Sequence, residues 1–159
     1  MSSPLLQYDF IVNATLLAVQ KKFAGFNVDW EDLGDHTVDD LNRFLKDFRT
    51  VLHLFGKILL WDASILDVTT AKCVDRIADM DTYGIWGSDL KEMIQQGIEE
   101  IGIEKYGLGI YPLETPDEGI DSVFAIAQEM EVRHIYVWED QITTLSQDCW
   151  KKLAIWLKS

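Results

Sequence analysis

Apolar residues recur at helical spacing through the first third of the chain and in short unbroken runs after it. Leu5 to Lys22 carries apolar positions at the three-to-four-residue interval of a helix. Val38, Leu41, Phe44, Leu45, Phe48, Leu52 and Phe55 then form one continuous stripe. The second helix has a marked start. Thr37 precedes it as a capping residue, and Asp39 and Asp40 fall in its first turn, where the helix dipole favours negative charge. Residues 23–36, between the two helices, read as an acidic loop.

From residue 57 the texture changes. Ile58–Trp61, Leu108–Tyr111 and Ile135–Trp138 are short, β-branched or aromatic, and apolar on both faces, as parallel strands covered by helices are. Amphipathic stretches predict helices over residues 69–80, 88–101, 116–130 and 145–157. Thr115-Pro116-Asp117-Glu118 places Pro at a first helical position inside a capping box, and Thr144 with Gln147 repeats the box. The link between the last two strands suits a right-handed βαβ unit. The predicted fold is mixed α/β and helix-rich: an N-terminal helical pair followed by a small three-stranded parallel sheet with crossover helices. No repeat or Pro/Gly/Ser linker divides the chain. Residues 1–159 therefore read as a single domain, with a helical part over 1–56 and an α/β part over 57–159.

Charge narrows the partners. Twenty-seven Asp and Glu against 14 Lys and Arg give a net charge of −13. Such a surface repels nucleic acid phosphates and anionic lipid, and its natural complement is a basic protein. The N-terminal stretch lacks a positive leader and a small-residue cleavage site, and no run is long enough to span a membrane, so the expected location is cytoplasmic. Cys73 and Cys149 are far apart, sit in apolar helical patterns and read as buried structural thiols, with no zinc or redox spacing.

Candidate chemistry is sparse. Asp29 to Asp40 has the outline of a calcium loop, with Gly34 at the sixth place. Leu33 occupies the fifth, and Asp40 stands where a bidentate Glu belongs. No metal or cofactor is therefore expected. His36, His53 and His134 are scattered, and no nucleophile elbow or His-Glu-x-x-His pair occurs. Three predicted strands end in carboxylates, at Asp62, at Glu114 and at Glu139-Asp140. If Asp62, Glu139 and Asp140 converge, they make a Mg²⁺-dependent phosphohydrolase-type site, which is the enzyme alternative. Against it, no phosphate-binding Gly-rich loop is present.

The most informative segment runs from Asp79 to Glu92 and interleaves Tyr83 and Trp86 with Gly and carboxylates. Aromatic side chains bury area at little entropic cost, and acidic groups steer a basic partner. This segment predicts a binding surface of Tyr83, Trp86, Asp89 and Glu92, with Asp79 and Asp81 at its rim. From residue 57 onward the order of elements resembles the barstar-like ribonuclease inhibitors, and Tyr83-Gly84 ahead of Asp89-Leu90 is similar to the segment that family presents to its enzyme. The spacing is one residue longer, Met93 stands where that pattern has a second Asp, and residues 1–56 have no counterpart. The resemblance implies an immunity protein that neutralises a basic toxin nuclease. A structural or assembly subunit, using exposed aromatics of the N-terminal helices, is the remaining alternative.

Overall fold

The computed structural model of the chain describes residues 4–30, 36–115, 117–138 and 144–158. Along them run α1 (Pro4–Lys21), β1 (Gly25–Asp29), α2 (Val38–His53), β2 (Ile58–Ala63), α3 (Val68–Ala71) and β3 (Arg76–Asp79). After these come α4 (Gly87–Ile101), β4 (Tyr106–Ile110), α5 (Asp117–Glu129), β5 (Ile135–Val137) and α6 (Thr144–Trp156). The strands form one five-stranded sheet in chain order, with β1 parallel to β2 and β4 parallel to β5. The chain divides into two compact units, residues 1–63 with 67–77 and residues 64–66 with 78–159.

Two strands correct the predicted three-stranded sheet. The expected acidic loop contains β1, so the N-terminal part is not purely helical. Its residues alternate: Phe26 and Val28 are partly covered, while Asn27 and Asp29 are exposed, which is the period of a strand. The helix predicted over 69–80 is in fact the four-residue α3 followed by β3. Asp67 caps α3 through the Thr70 N–H at 2.8 Å, and the helix ends before Cys73. Cys73 therefore lies outside any helix and is only partly covered, whereas Cys149 is buried in α6.

In the first unit the α2 stripe is the core. Leu41, Phe44, Leu45, Phe48 and Leu52 are all buried. Phe48 packs against Phe44 at 5.8 Å, Phe10 of α1 at 5.8 Å and Phe26 of β1 at 5.7 Å between ring centroids. Such edge and tilted aromatic pairs add to the area they bury. Thr37 and Asp40 form the capping box expected of this helix start. Because Phe26 faces α2, Asn27 and Asp29 face away from it.

Asp75, just before β3, ties this unit together. Its carboxylate accepts the Leu59 N–H of β2 at 2.8 Å, Arg49 Nε at 2.8 Å and His53 Nε2 at 3.0 Å, the last two from α2. Burial alone would raise its pKa. The Leu59 N–H, the His53 ring and the Arg49 guanidinium outweigh burial and hold it below the ordinary carboxylate value.

In the second unit β4 is buried at every position, and its first residue, Tyr106, is fully enclosed. Leu90 and Ile94 of α4, Ile120 and Ala127 of α5, and Cys149 of α6 complete this core. Gly97 of α4 permits close packing on Tyr106, since a Cβ there would lie 2.4 Å from the tyrosine ring. No described helix is long and apolar enough to cross a membrane.

Replacing Asp75 with Asn leaves three donors facing a neutral amide. At pH 7 it should lower unfolding free energy by about 2 kcal/mol, the usual scale for disrupting a charged hydrogen-bond cluster. Since the folded-state pKa of Asp75 lies below 3.8, its contribution is fully present above that value and is lost as pH falls through the lowered one. Urea denaturation of both proteins should therefore show the gap closing between pH 5 and the most acid conditions the fold tolerates. A gap unchanged by acid would contradict this role.

Candidate functional site

The carboxyl ends of the parallel strands carry the chemistry-bearing side chains in each unit. In the first unit the β1/β2 register sets Asp29 beside Asp62 and Asn27 beside Leu60, so all three polar residues share the face turned away from α2. Asn27 Nδ2 lies 2.8 Å from both Asp62 oxygens and donates to the carboxylate. Asp62 is 8% exposed, whereas Asp29 stands open to solvent. One carboxylate is thus anchored and largely shielded, and its neighbour on the next strand is accessible.

The second unit presents a row of aromatic rings. Tyr83 follows β3, Tyr111 follows β4 and Trp138 follows β5. Tyr83 and Tyr111 meet edge-on at 6.0 Å, and Tyr111 and Trp138 at 4.8 Å. Trp138 is 41% exposed, so the row ends at an accessible indole. Gly109 makes room for it. A Cβ there would lie 2.7 Å from the Tyr83 ring and 2.2 Å from the Asp79 carbonyl oxygen.

The predicted binding residues separate. Asp79 is 3% exposed and lines an open cleft of about 280 Å³ with Asp81, Ile65, Leu66, Gln96 and Glu100. Glu92 faces a different groove, shared with Lys91, Gln95 and Met130. Trp86 is the exposed N-cap residue of α4, and Asp89 sits in that helix's first turn. Tyr83 belongs to the aromatic row. Of the strand-end carboxylates, Asp62 pairs with Asn27 and Glu114 is exposed beside Gly84, while Glu139 and Asp140 lie outside the described residues. Most of the supposed calcium loop, residues 31–35, also lies outside them. Among the described residues no group of three His, Cys, Asp or Glu is placed to hold a metal. His53 serves Asp75, and His36 packs its ring on Trp30 at 5.6 Å.

Sequence reasoning missed Asn27 and Asp29 as site residues. The signal was there: Phe26 to Trp30 alternates apolar even positions with polar odd ones, a strand pattern masked by the acidic run that follows.

Compared with solved structures, the fold is similar to that of chitinases and of a spore cortex-lytic enzyme. A chitinase from Chromobacterium violaceum superposes with a TM-score of 0.74 at 13% identity, over 98% of this chain and 73% of its own. A class V chitinase from Pseudomonas fluorescens gives 0.75 at 12% identity, over 96% and 73%. The spore cortex-lytic enzyme SleL from Bacillus megaterium gives 0.75 at 10% identity, over 95% of this chain but 53% of the enzyme. No family model and no curated protein matches. At these identities the likeness concerns the fold.

These findings overturn the resemblance to barstar-like inhibitors and, with it, the reading as an immunity protein against a toxin nuclease. The supposed three-stranded core is part of a five-stranded sheet, and the two N-terminal helices have the strand β1 between them in the chain, which is part of that sheet. The phosphohydrolase alternative also lacks support, because Asp62 is engaged by Asn27 and the other two ligands it needs fall outside the described residues.

Placing a side chain at Gly109 should be costly. The Asp79 carbonyl oxygen that an alanine Cβ would strike at 2.2 Å belongs to the backbone, so a strand or a turn has to shift. Gly109→Ala is expected to lose about 2–3 kcal/mol in chemical denaturation, at the upper end for overpacking. A loss under about 0.5 kcal/mol would mean that the aromatic row does not depend on this close approach.

Proposed function

We propose that this chain is a glycoside-hydrolase-type protein acting on a chitin-like, β-linked amino-sugar polymer. The observation that carries the reading is the pair of strand-end carboxylates, Asp29 and Asp62, set side by side in register with Asn27 clamping the second. In sheets of parallel strands with crossover helices, reactive groups gather beyond the carboxyl ends of the strands. Glycosidic cleavage commonly needs one carboxyl group that gives a proton to the leaving oxygen and one carboxylate that faces the developing positive charge. The anchored Asp62 suits the second role. Its two oxygens are held by an amide, so little reorganisation is required as charge appears on the sugar ring. The proton donor is assigned to the acidic run at the end of β1, which holds Asp29 and, two residues on in the sequence, Glu31. The fold likeness to chitinases and to a cortex-lytic enzyme supports this substrate class.

The aromatic row supports the same reading independently. Sugar rings offer apolar C–H faces edged by hydroxyls, and Tyr and Trp match them with a flat apolar face and a polar edge. The net charge of −13 also agrees with a neutral or N-acetylated glycan, which an acidic surface does not repel as it would a polyanion.

Hydrolysis of N-acetylchitooligosaccharides and of their aryl glycosides tests the proposal. Asp62→Asn, Asp29→Asn and Glu31→Gln are each expected to lower turnover of the oligosaccharide, by about 10²–10⁴-fold for the residue that donates the proton. For that residue alone, an aryl glycoside with a good leaving group should recover most of the lost rate, since departure then needs little protonation. Wild-type protein that neither binds nor cleaves these substrates would sink the reading.

A further inference from the structure

The turn between β3 and α4 hangs on a buried carboxyl group that the chemistry above does not use. Asp79 ends β3 and is 3% exposed. One oxygen accepts the Tyr106 hydroxyl at 3.1 Å, and the other accepts the Asp81 N–H at 3.2 Å. Its backbone carbonyl lies 2.7 Å from the Thr82 hydroxyl, which also reaches the Gly109 carbonyl at 2.8 Å. The Tyr83 N–H then closes the turn on the Met80 carbonyl at 3.0 Å, and the Tyr83 ring settles over Gly109. The Asp79 carboxyl group thus holds the Asp81 N–H inside the turn that carries Tyr83, and the Asp79 backbone carbonyl holds the Thr82 hydroxyl beside it.

We propose that Asp79 is a pH-sensitive positioning residue: as a carboxylate it sets the turn that seats Tyr83, and its protonation loosens that turn and weakens sugar stacking on the row of Tyr83, Tyr111 and Trp138. The inference rests on the glycan reading. Its chemical basis is the acceptor count. An ionised carboxyl group accepts on both oxygens, as Tyr106 and Asp81 require. A neutral one spends one oxygen on its own proton, so a buried donor competes for what remains.

The surroundings of Asp79 place this change in a useful range. Burial pushes its pKa up to about 6, the Tyr106 hydroxyl and the Asp81 N–H oppose that rise, and the Asp81 charge adds to it. Asp81 faces Asp79 from the turn, Tyr106 from β4, and Glu100 across the cleft from α4, with Gln96 neutral beside it. No Lys, Arg or His lines that cleft among the described residues, so the cleft offers no positive charge to keep Asp79 ionised in acid. The Tyr106 hydroxyl stays neutral throughout, because burial and the neighbouring Asp79 raise its own pKa.

Tyrosine-ring NMR between pH 4.5 and 8, with Tyr83 assigned through Tyr83→Phe, reads the turn. Binding of N-acetylchitotetraose over the same range reads the consequence. In the wild type both should titrate together with a midpoint near 6 and severalfold tighter binding on the basic side. Asp79→Asn cannot ionise, and both curves should become flat. Tyr106→Phe removes a donor that favours the carboxylate and should move the midpoint upward, which decides the matter even if Asp79→Asn does not fold. A Tyr83 titration that persists unchanged in Asp79→Asn, or a wild-type Tyr83 signal flat across the range, overturns the proposal. Wild-type protein that binds no tetraose at any pH defeats the glycan reading, and the ring titration still decides the role of Asp79 in the turn.

Discussion

The first unit depends on finding partners for polar groups around Asp75. Between β2 and the four-residue β3 the chain makes only one helical turn in α3, and this connection needs a tie to the helix beside it. The Asp75 carboxylate supplies it by accepting from the β2 backbone and from two side chains of α2. Strand and helix are held from one point, and β2 so held is paired in parallel register with β1. That register decides which residues meet. A slip of one residue would turn Asn27 and Asp29 toward α2 and away from Asp62.

The parts of the fold that could be read from the sequence were those with a strong local period. The Thr37 start of α2 and the middle of its stripe, Leu41 to Leu52, are found where the pattern puts them, while Val38 is half exposed and Phe55 lies beyond the helix; β2, β4 and β5 overlap the three apolar runs. What could not be read were elements too short or too mixed for period to decide. β3 has four residues, Arg76 to Asp79, and charged ends make it look like part of an amphipathic helix. β1 is half polar because one of its faces is not covered by a helix, so it reads as loop to a search for continuous apolar runs. Missing those two strands turned a sheet of five into one of three and suggested the wrong relatives.

The candidate site was legible only in fragments for a related reason. Asp62 stood out as a strand-end carboxylate, but its partners on β1 could not be recognised until β1 was. Tyr83 stood out beside Gly84, yet its neighbours Tyr111 and Trp138 follow two other strands and are joined to it only by the side-by-side order of β3, β4 and β5 in the sheet. The long-range neighbours of a residue follow from register, and register is a property of the folded sheet. Acidity, which pointed to a basic protein partner, described the surface as a whole and not the site.

Thr82 has a consequence for how such a surface can change over time. Its single hydroxyl proton is shared between two backbone carbonyl groups, from Asp79 and Gly109, so the turn is fixed to main-chain atoms whose identity no substitution alters. The exposed positions around it, Asp81 and Trp86, are under no comparable constraint from that tie. A loop anchored in this way can exchange its outward side chains and acquire preferences for different ligands while the ring that it carries keeps its seat.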